Sequence, residues 1–180
     1  MRLFDAIHHK YYIDGEEVPS VTQVINAVYP RYPVDPYYLE KGQILHTCCS
    51  WLATGGEVDD VDPVIAGRVS ACRRFLKETG FRAVEVEVKH FDAVHMVAGT
   101  FDAIGPFNGF DLILDWKSSV SKNDGLQLDG YCLLTGIKKG LIVELHDDGT
   151  YTMGKVKMLN ANRFLRVLKT YRKMEEERIK

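Results

Sequence analysis

Seven residues, Asp111-Leu112-Ile113-Leu114-Asp115-Trp116-Lys117, constrain this chain more than any other stretch. Side chains on a β-strand alternate between faces with a period of two. Leu112, Leu114 and Trp116 therefore share one face, and Ile113, Asp115 and Lys117 share the other. So apolar a strand belongs in an interior, where a carboxylate and an ammonium must be paired or must coordinate a metal. Asp-x-Lys alone fits a structural ion pair or a frayed strand end. The meaning of the pair depends on what the rest of the chain brings to it.

The strands before it carry further acids. Ala83–Phe91 alternates, with Val84, Val86 and Val88 on one side and Glu85, Glu87 and Lys89 on the other, which predicts a strand. Val94–Ala103 predicts a second, with Gly99 inside it, where a backbone or ligand approaches closely, and Asp102 near its end. Gly105–Gly109 is the expected turn into the Asp111–Lys117 strand. The three strands predict an antiparallel meander carrying Glu87, Asp102, Asp115 and Lys117.

Helices are expected around this meander. Asp14-Gly15 turns a small hairpin over Tyr11–Val18, and Ser20 caps a helix carrying Val21, Val24, Ile25 and Val28. Tyr29–Pro36 reads as a proline-rich loop. Tyr29, Tyr32, Tyr37 and Tyr38 in and beside it are expected to pack, with base stacking as the alternative. A second helix is predicted from Pro36 to about Ala53, with Gly42 and His46 on one face. That spacing suits a close backbone approach at Gly42 and an imidazole aimed into the same gap. A third helix, Asp62–Thr79, has Arg68, Arg73, Arg74 and Lys77 largely off its apolar stripe, as a phosphate rim or a solvated face. Further on come a helix over about Leu126–Thr135, strands over Lys138–Leu145 and Tyr151–Met158, and a last helix from Asn160 with Phe164, Leu165, Leu168 and Tyr171 inward. The order predicts an α/β fold: one central mixed sheet, including the three-strand meander, flanked by helices. Residues 1–180 are expected to form one domain, mainly helical over 1–80, with the sheet core and C-terminal helices over 81–180.

Several classes are disfavoured. A net charge of −2 gives no global attraction for nucleic acid, although a metal-loaded acidic site needs only a local basic rim. Met1–Tyr12 lacks the apolar run of a secretory signal, and no stretch is long and apolar enough to span a membrane. A cytoplasmic protein with no membrane partner is expected. Cys48, Cys49, Cys72 and Cys132 form no Cys-x-x-Cys pair, which argues against zinc or an iron–sulfur cluster and for reduced thiols.

Several carboxylates converging at one sheet end repel one another unless a cation intervenes. Mg²⁺ prefers hard oxygen donors, so Asp102 and Asp115 are the expected direct ligands, with the backbone carbonyl of Trp116 as a third. Lys117 would stand beside the attacking water, orienting it, helping to deprotonate it, or stabilising the pentacovalent phosphate. Glu87 could hold a water or help generate hydroxide. His46 could bind a second cation, and an imidazole would favour Mn²⁺ alongside Mg²⁺.

Taken together, these pieces resemble the PD-(D/E)XK nuclease superfamily and its RecB-like exonuclease branch. Asp102 with Asp115-Trp116-Lys117 resembles the superfamily core, and Gly42-x-x-x-His46 resembles the branch's Gly-x-x-x-His element. Glu87 with Gly99-Thr100-Phe101-Asp102 is similar to its Glu and Gly-Thr-x-Asp strand. Leu114-Asp115-Trp116-Lys117-Ser118 and Gln127-x-x-x-Tyr131 match its next two elements, and Val18-Pro19-Ser20-Val21-Thr22 resembles small phage and mitochondrial-type members. The likeness covers about Tyr12–Tyr131. It implies a restriction-endonuclease-like core and a DNA nuclease using one or two Mg²⁺ or Mn²⁺ ions, often an exonuclease of recombination, repair or phage replication. It also implies that Gln127 and Tyr131 support the site and the DNA backbone. With no cysteine beyond Cys132, the cluster of the iron–sulfur members is not expected. The helicase domains of RecB-type enzymes are absent from this stretch, so a recombination or single-strand-binding partner, or a homo-oligomer, would complete the work. A structure-specific endonuclease, or an inactive member that binds DNA or a protein partner, would use the same residues. A glycosidase-like carboxylate pair would have no use for Lys117.

Overall fold

The computed structural model describes residues 1–31 and 33–180. Tyr32, one of the four aromatics singled out above, lies outside the described residues. The N-terminal part holds β1 (Arg2–Asp5), β2 (Lys10–Ile13) and β3 (Glu16–Val18), then α1 (Val21–Val28), α2 (Pro36–Ala53) and α3 (Pro63–Thr79). Next come β4 (Glu85–Val86), β5 (Lys89–Asp92), β6 (Val97–Thr100), β7 (Ala103–Phe107) and β8 (Phe110–Lys117). The chain ends with α4 (Asp124–Thr135), β9 (Lys139–Leu145), β10 (Tyr151–Met153), β11 (Lys157–Met158) and α5 (Ala161–Arg178).

Local chemistry sets the helix starts. Ser20 caps α1 through a reciprocal pair, its Oγ accepting from the Gln23 amide while Gln23 Oε1 accepts from the Ser20 amide. α2 and α3 both begin Asp-Pro. Asp35 and Asp62 accept backbone N–H groups, and Pro36 and Pro63 occupy first-turn positions where a missing N–H costs nothing. Gly80 ends α3 at φ +68°, as a left-handed C-cap does.

The main sheet runs β10-β9-β8-β7-β4, with β11 also paired to β9. β4, β7 and β8 are antiparallel, and β9 lies parallel to β8 after the α4 crossover. This is a mixed sheet with helices on both faces. Leu112, Leu114 and Trp116 of β8 join Cys49, Val69 and Phe75 of α2 and α3 in one core. Ile113 joins Val21, Leu128 and Phe164 of α1, α4 and α5 in the other. The strand's period of two thus divides β8 between two interiors, and a third, smaller cluster of Tyr11, Ile13, Val18 and Ala98 lies at the N-terminal sheet.

The structure differs from the expected strands in two related places. Ala83–Phe91 is not continuous. It breaks at Glu87, whose φ is +52°, so that β4 joins the main sheet while β5 pairs with β6 in a separate hairpin. The stretch Val94–Ala103 breaks likewise between β6 and β7, at Phe101-Asp102. The Glu87 amide donates to the Asp102 carbonyl at 3.2 Å, so the two breaks lie side by side. The turn into β8 lies later than Gly105–Gly109 implies. Gly105 and Pro106 belong to β7, and the tight turn is Asn108-Gly109, both at positive φ. β1 was not anticipated, and the predicted Tyr151–Met158 strand is split into β10 and β11.

Gly67 lets α3 seat against the β9–β10 turn: a Cβ there would lie 1.8 Å from the Asp147 carbonyl oxygen. Alanine is the better helix former by about 1 kcal/mol, but overlap with backbone outweighs that gain. Gly67→Ala is therefore expected to lower stability by about 1–3 kcal/mol, read as an earlier urea midpoint. An unchanged or later midpoint would refute this packing.

Candidate active site

The site forms where the two strand breaks meet the end of β8. Asp102 is its hub. Oδ2 accepts the Trp116 amide at 2.7 Å, and Oδ1 lies 2.9 Å from His46 Nδ1. β7 starts only at Ala103, and the carboxylate takes the Trp116 N–H just beyond the last β7–β8 pair, Ala103↔Leu114. Three separate segments, α2, the β6–β7 break and β8, meet on this side chain.

His46, Glu87 and Asp102 each offer a ligand atom, and these atoms all lie within 4.8 Å of one another. The left-handed backbone at Glu87 is a conformation that non-glycine residues rarely adopt. It accompanies the partly buried position of Glu87 beside Asp102. Asp115 is not in this trio. Its side chain is buried, and Oδ2 lies 2.7 Å from Lys117 Nζ. Neither Asp115 oxygen has a well-directed hydrogen bond. Lys117 Nζ donates to Gln127 Oε1 at 3.0 Å, and Gln127 Nε2 donates to the Tyr131 hydroxyl oxygen at 2.7 Å. Residues four apart on α4 thus hold the lysine from the α4 side of the sheet.

Electrostatics follow from this crowding. The Asp102 charge, against burial, raises His46 to about 9. Burial pushes Asp102 upward, but the charge and hydrogen bond of His46, with Lys117 and the Trp116 amide, leave it below the ordinary carboxylate value. Asp115 is raised to about 6 by burial, with Lys117 opposing and Asp102 adding to the rise. Glu87 is raised by burial and then by the Asp102 charge. Burial lowers Lys117, but Asp115 and Asp102 more than restore it. A buried Asp115 carboxylate, paired only with Lys117, beside a cluster of two carboxylates and an imidazole is a donor set that suits a hard divalent cation.

The remaining expected residues fall as follows. Trp116 is in place on β8, but its indole faces the α2–α3 core. Ser118 is exposed just past the strand end. The close approach expected at Gly42 does not occur: a Cβ there would meet nothing within 4 Å, so the space one turn before His46 is open. A close approach does occur at Gly99, where a Cβ would lie 3.3 Å from Tyr131 Cε1 and 3.1 Å from Leu134. Tyr29, Tyr37 and Tyr38 are exposed at 42%, 46% and 62%, so the expected packing role does not hold for them. The Arg68–Lys77 face is largely compensated. Arg68 pairs with Asp147, Arg74 with Glu78, and Arg73 donates to the Val58 carbonyl.

Two contributors escaped the sequence reading. Ser50, one turn beyond His46 on α2, is buried beside Glu87, and its hydroxyl favours the charged form of that carboxylate. Its i+4 spacing from His46 was the available signal. Asp124 is fully buried and accepts from the Ser121 hydroxyl at 2.8 Å and from Arg31 at 3.1 Å. It fixes the loop between Lys117 and Gln127, and no local pattern marks it.

No family model matches the chain, and no curated protein matches it in sequence. Solved structures do match in fold. LHK-Exo in complex with dAMP aligns with a TM-score of 0.52 at 13% identity, over 90% of this chain and 89% of that one. SSO0001 aligns with a TM-score of 0.51 at 17% identity, over 91% of this chain and 78% of that one. A second LHK-Exo structure, described as an alkaline exonuclease from Laribacter hongkongensis, aligns at 0.48 with 13% identity, over 89% and 88%. The chain therefore has the α/β fold found in LHK-Exo and SSO0001. Among the described residues, no helix is long and apolar enough to cross a membrane.

A group whose pKa is raised by folding adds stability while it is protonated in the fold. His46 therefore contributes fully below its ordinary value of 6.5, and the contribution is lost as pH rises through about 9. In EDTA, the stability advantage of the wild type over His46→Gln is expected to shrink across that window, followed by urea titration at each pH. An advantage that stays constant, or grows with pH, would contradict the His46–Asp102 pairing.

Proposed function

We propose that this chain is a divalent-metal-dependent DNA nuclease of the PD-(D/E)XK superfamily, in its RecB-like branch, acting as an exonuclease. The observation that carries the reading is the chain of contacts Asp115–Lys117–Gln127–Tyr131 beside the His46–Glu87–Asp102 trio. It sets a fixed ammonium next to acidic donors, on a fold shared with LHK-Exo.

Asp102, Asp115, His46 and Glu87 are the proposed holders of one or two Mg²⁺ or Mn²⁺ ions, with the Trp116 carbonyl as the backbone donor. A bound divalent cation would polarise the phosphoryl oxygen and make water a better nucleophile at neutral pH. Lys117, charged and locked by Asp115 and Gln127, orients the attacking water and offers its proton to charge that develops on the phosphate. Glu87, raised by burial, accepts a proton more readily than an exposed glutamate. Gln127 and Tyr131 act through Lys117 as positioning residues. Gly42, the exposed Ser118 and the exposed Tyr38 are the proposed contacts to the DNA strand. DNA is the proposed partner, in a cytoplasmic setting, with recombination, repair or phage replication as the proposed context.

The test is digestion of end-labelled linear DNA with Mg²⁺ or Mn²⁺. Lys117→Ala and Asp115→Asn are each expected to lower cleavage by about 10²–10⁴-fold with the fold retained, and EDTA to abolish it. Covalently closed DNA is expected to resist. Wild-type activity in either variant or in EDTA would end the nuclease reading, whereas rapid nicking of closed circles would convert it to an endonuclease.

A further inference from the structure

The face of the sheet that carries Asp115 and Lys117 does not stop at β8. In the parallel pairing, Asp115 lies beside Ile142 and Lys117 beside Glu144 of β9. Paired residues of neighbouring strands project to the same side, about 5 Å apart. Directly over this stretch of β9 is a cavity of about 330 Å³. Leu128 of α4, Ile142 and the exposed Val120 of the β8–α4 loop give it apolar walls, and Glu144 lines it as well. Lys155 and Lys157 line it from the segment where β10 and β11 separate.

The backbone makes room for it. Gly154 extends the β10 ladder by one bond, its amide donating to the Ile142 carbonyl at 3.0 Å, and the pairing then slips by one residue before Lys157 pairs with Gly140, as at a β-bulge. Glu144 accepts the Val120 amide through Oε1 at 3.3 Å, leaving its second oxygen uncommitted to that bond. Lys155 and Lys157 have no ion-pair partner among the described residues.

We infer that this cavity is a nucleobase pocket that receives the nucleotide next to the scissile phosphate. The choice of a nucleotide rests on the nuclease reading above; the existence of the pocket does not. A phosphate held at Asp115 and Lys117 carries its attached nucleoside one strand-spacing away, which is the distance to Glu144. Flat bases are accepted between apolar side chains with one or two polar groups reading the edge. The Glu144 carboxylate accepts from an amino group, as acidic side chains do from cytosine N4. Lys155 and Lys157 match the flanking phosphates in charge. Thymine, whose single N–H is flanked by two carbonyl oxygens, is the poorest match to a carboxylate.

The experiment is a protein-observed NMR titration of the full chain in EDTA, so that no turnover is needed. The probes are dCMP, dAMP, dGMP, dTMP and base-free deoxyribose 5-phosphate. The expected result is that dCMP shifts the signals of Val120 and Leu128, binding about tenfold more tightly than dTMP or the base-free sugar phosphate. Val120→Trp, which fills the cavity from an exposed loop position, is expected to weaken dCMP about tenfold, and Glu144→Gln to remove its advantage over dTMP. Equal binding of deoxyribose 5-phosphate, shifts confined to residues away from the cavity, or no binding by any nucleotide would overturn the pocket. Nucleotide binding here by a protein that cleaves no DNA would sink the nuclease reading and leave the pocket standing. Cleavage without such binding would do the reverse.

Discussion

A single buried carboxylate ties this molecule together. Asp102 takes the Trp116 amide with one oxygen and faces His46 with the other, so it closes the end of the β7–β8 pair and anchors α2 in the same act. Burying a carboxylate is costly unless its oxygens are satisfied. Here both oxygens are engaged, and the partners come from segments far apart in sequence. The strained backbone at Glu87 and the break before Ala103 make sense beside it. A continuous meander would carry Glu87 and Asp102 on regularly pleated strands, with the ladder's own backbone groups in place of the Asp102–Trp116 bond.

Around that hub the charges are ordered rather than merely collected. Asp102 is held ionised by His46, while Asp115, deeper and facing Lys117, is raised to about 6. Two carboxylates on one patch of sheet therefore differ in how firmly they keep their charge. Lys117 keeps its proton despite burial because both carboxylates favour its charged form. Its orientation comes from Gln127, whose own amide is fixed by Tyr131. Gly99, by lacking a side chain, lets the β5–β6 hairpin pack under that tyrosine. An apparently remote glycine is thus part of the site's support.

Much of this was legible in the residues. The alternation of Leu112, Leu114 and Trp116 against Ile113, Asp115 and Lys117 maps directly onto the two cores. Ser20, Asp35, Asp62 and Gly80 mark helix ends by mechanisms that act within a few residues. What was not legible depends on contacts distant in sequence. Val84 through Lys89 has a strand's pattern, yet Glu87 turns left-handed because of what Asp102 does fifteen residues later. Asn108-Gly109 was a readable turn signal, obscured by the nearby Gly105-Pro106. The sequence leaves the Arg68–Lys77 face open between a phosphate rim and a solvated face because Asp147 and Val58, its partners, are remote or unremarkable in sequence.

The sheet's two borders differ from its middle in one respect that bears on solution behaviour. β4 has two residues and β10 three, and the edge pairing slips by one residue after Gly154 before β11 re-pairs. An incoming strand from another molecule would find only a few consecutive free amide and carbonyl groups on either margin. Eight-residue β8 is far stickier in principle, but it is enclosed between β7 and β9. The main sheet therefore keeps its longest apolar strand sheltered at the centre and presents short margins to any incoming strand.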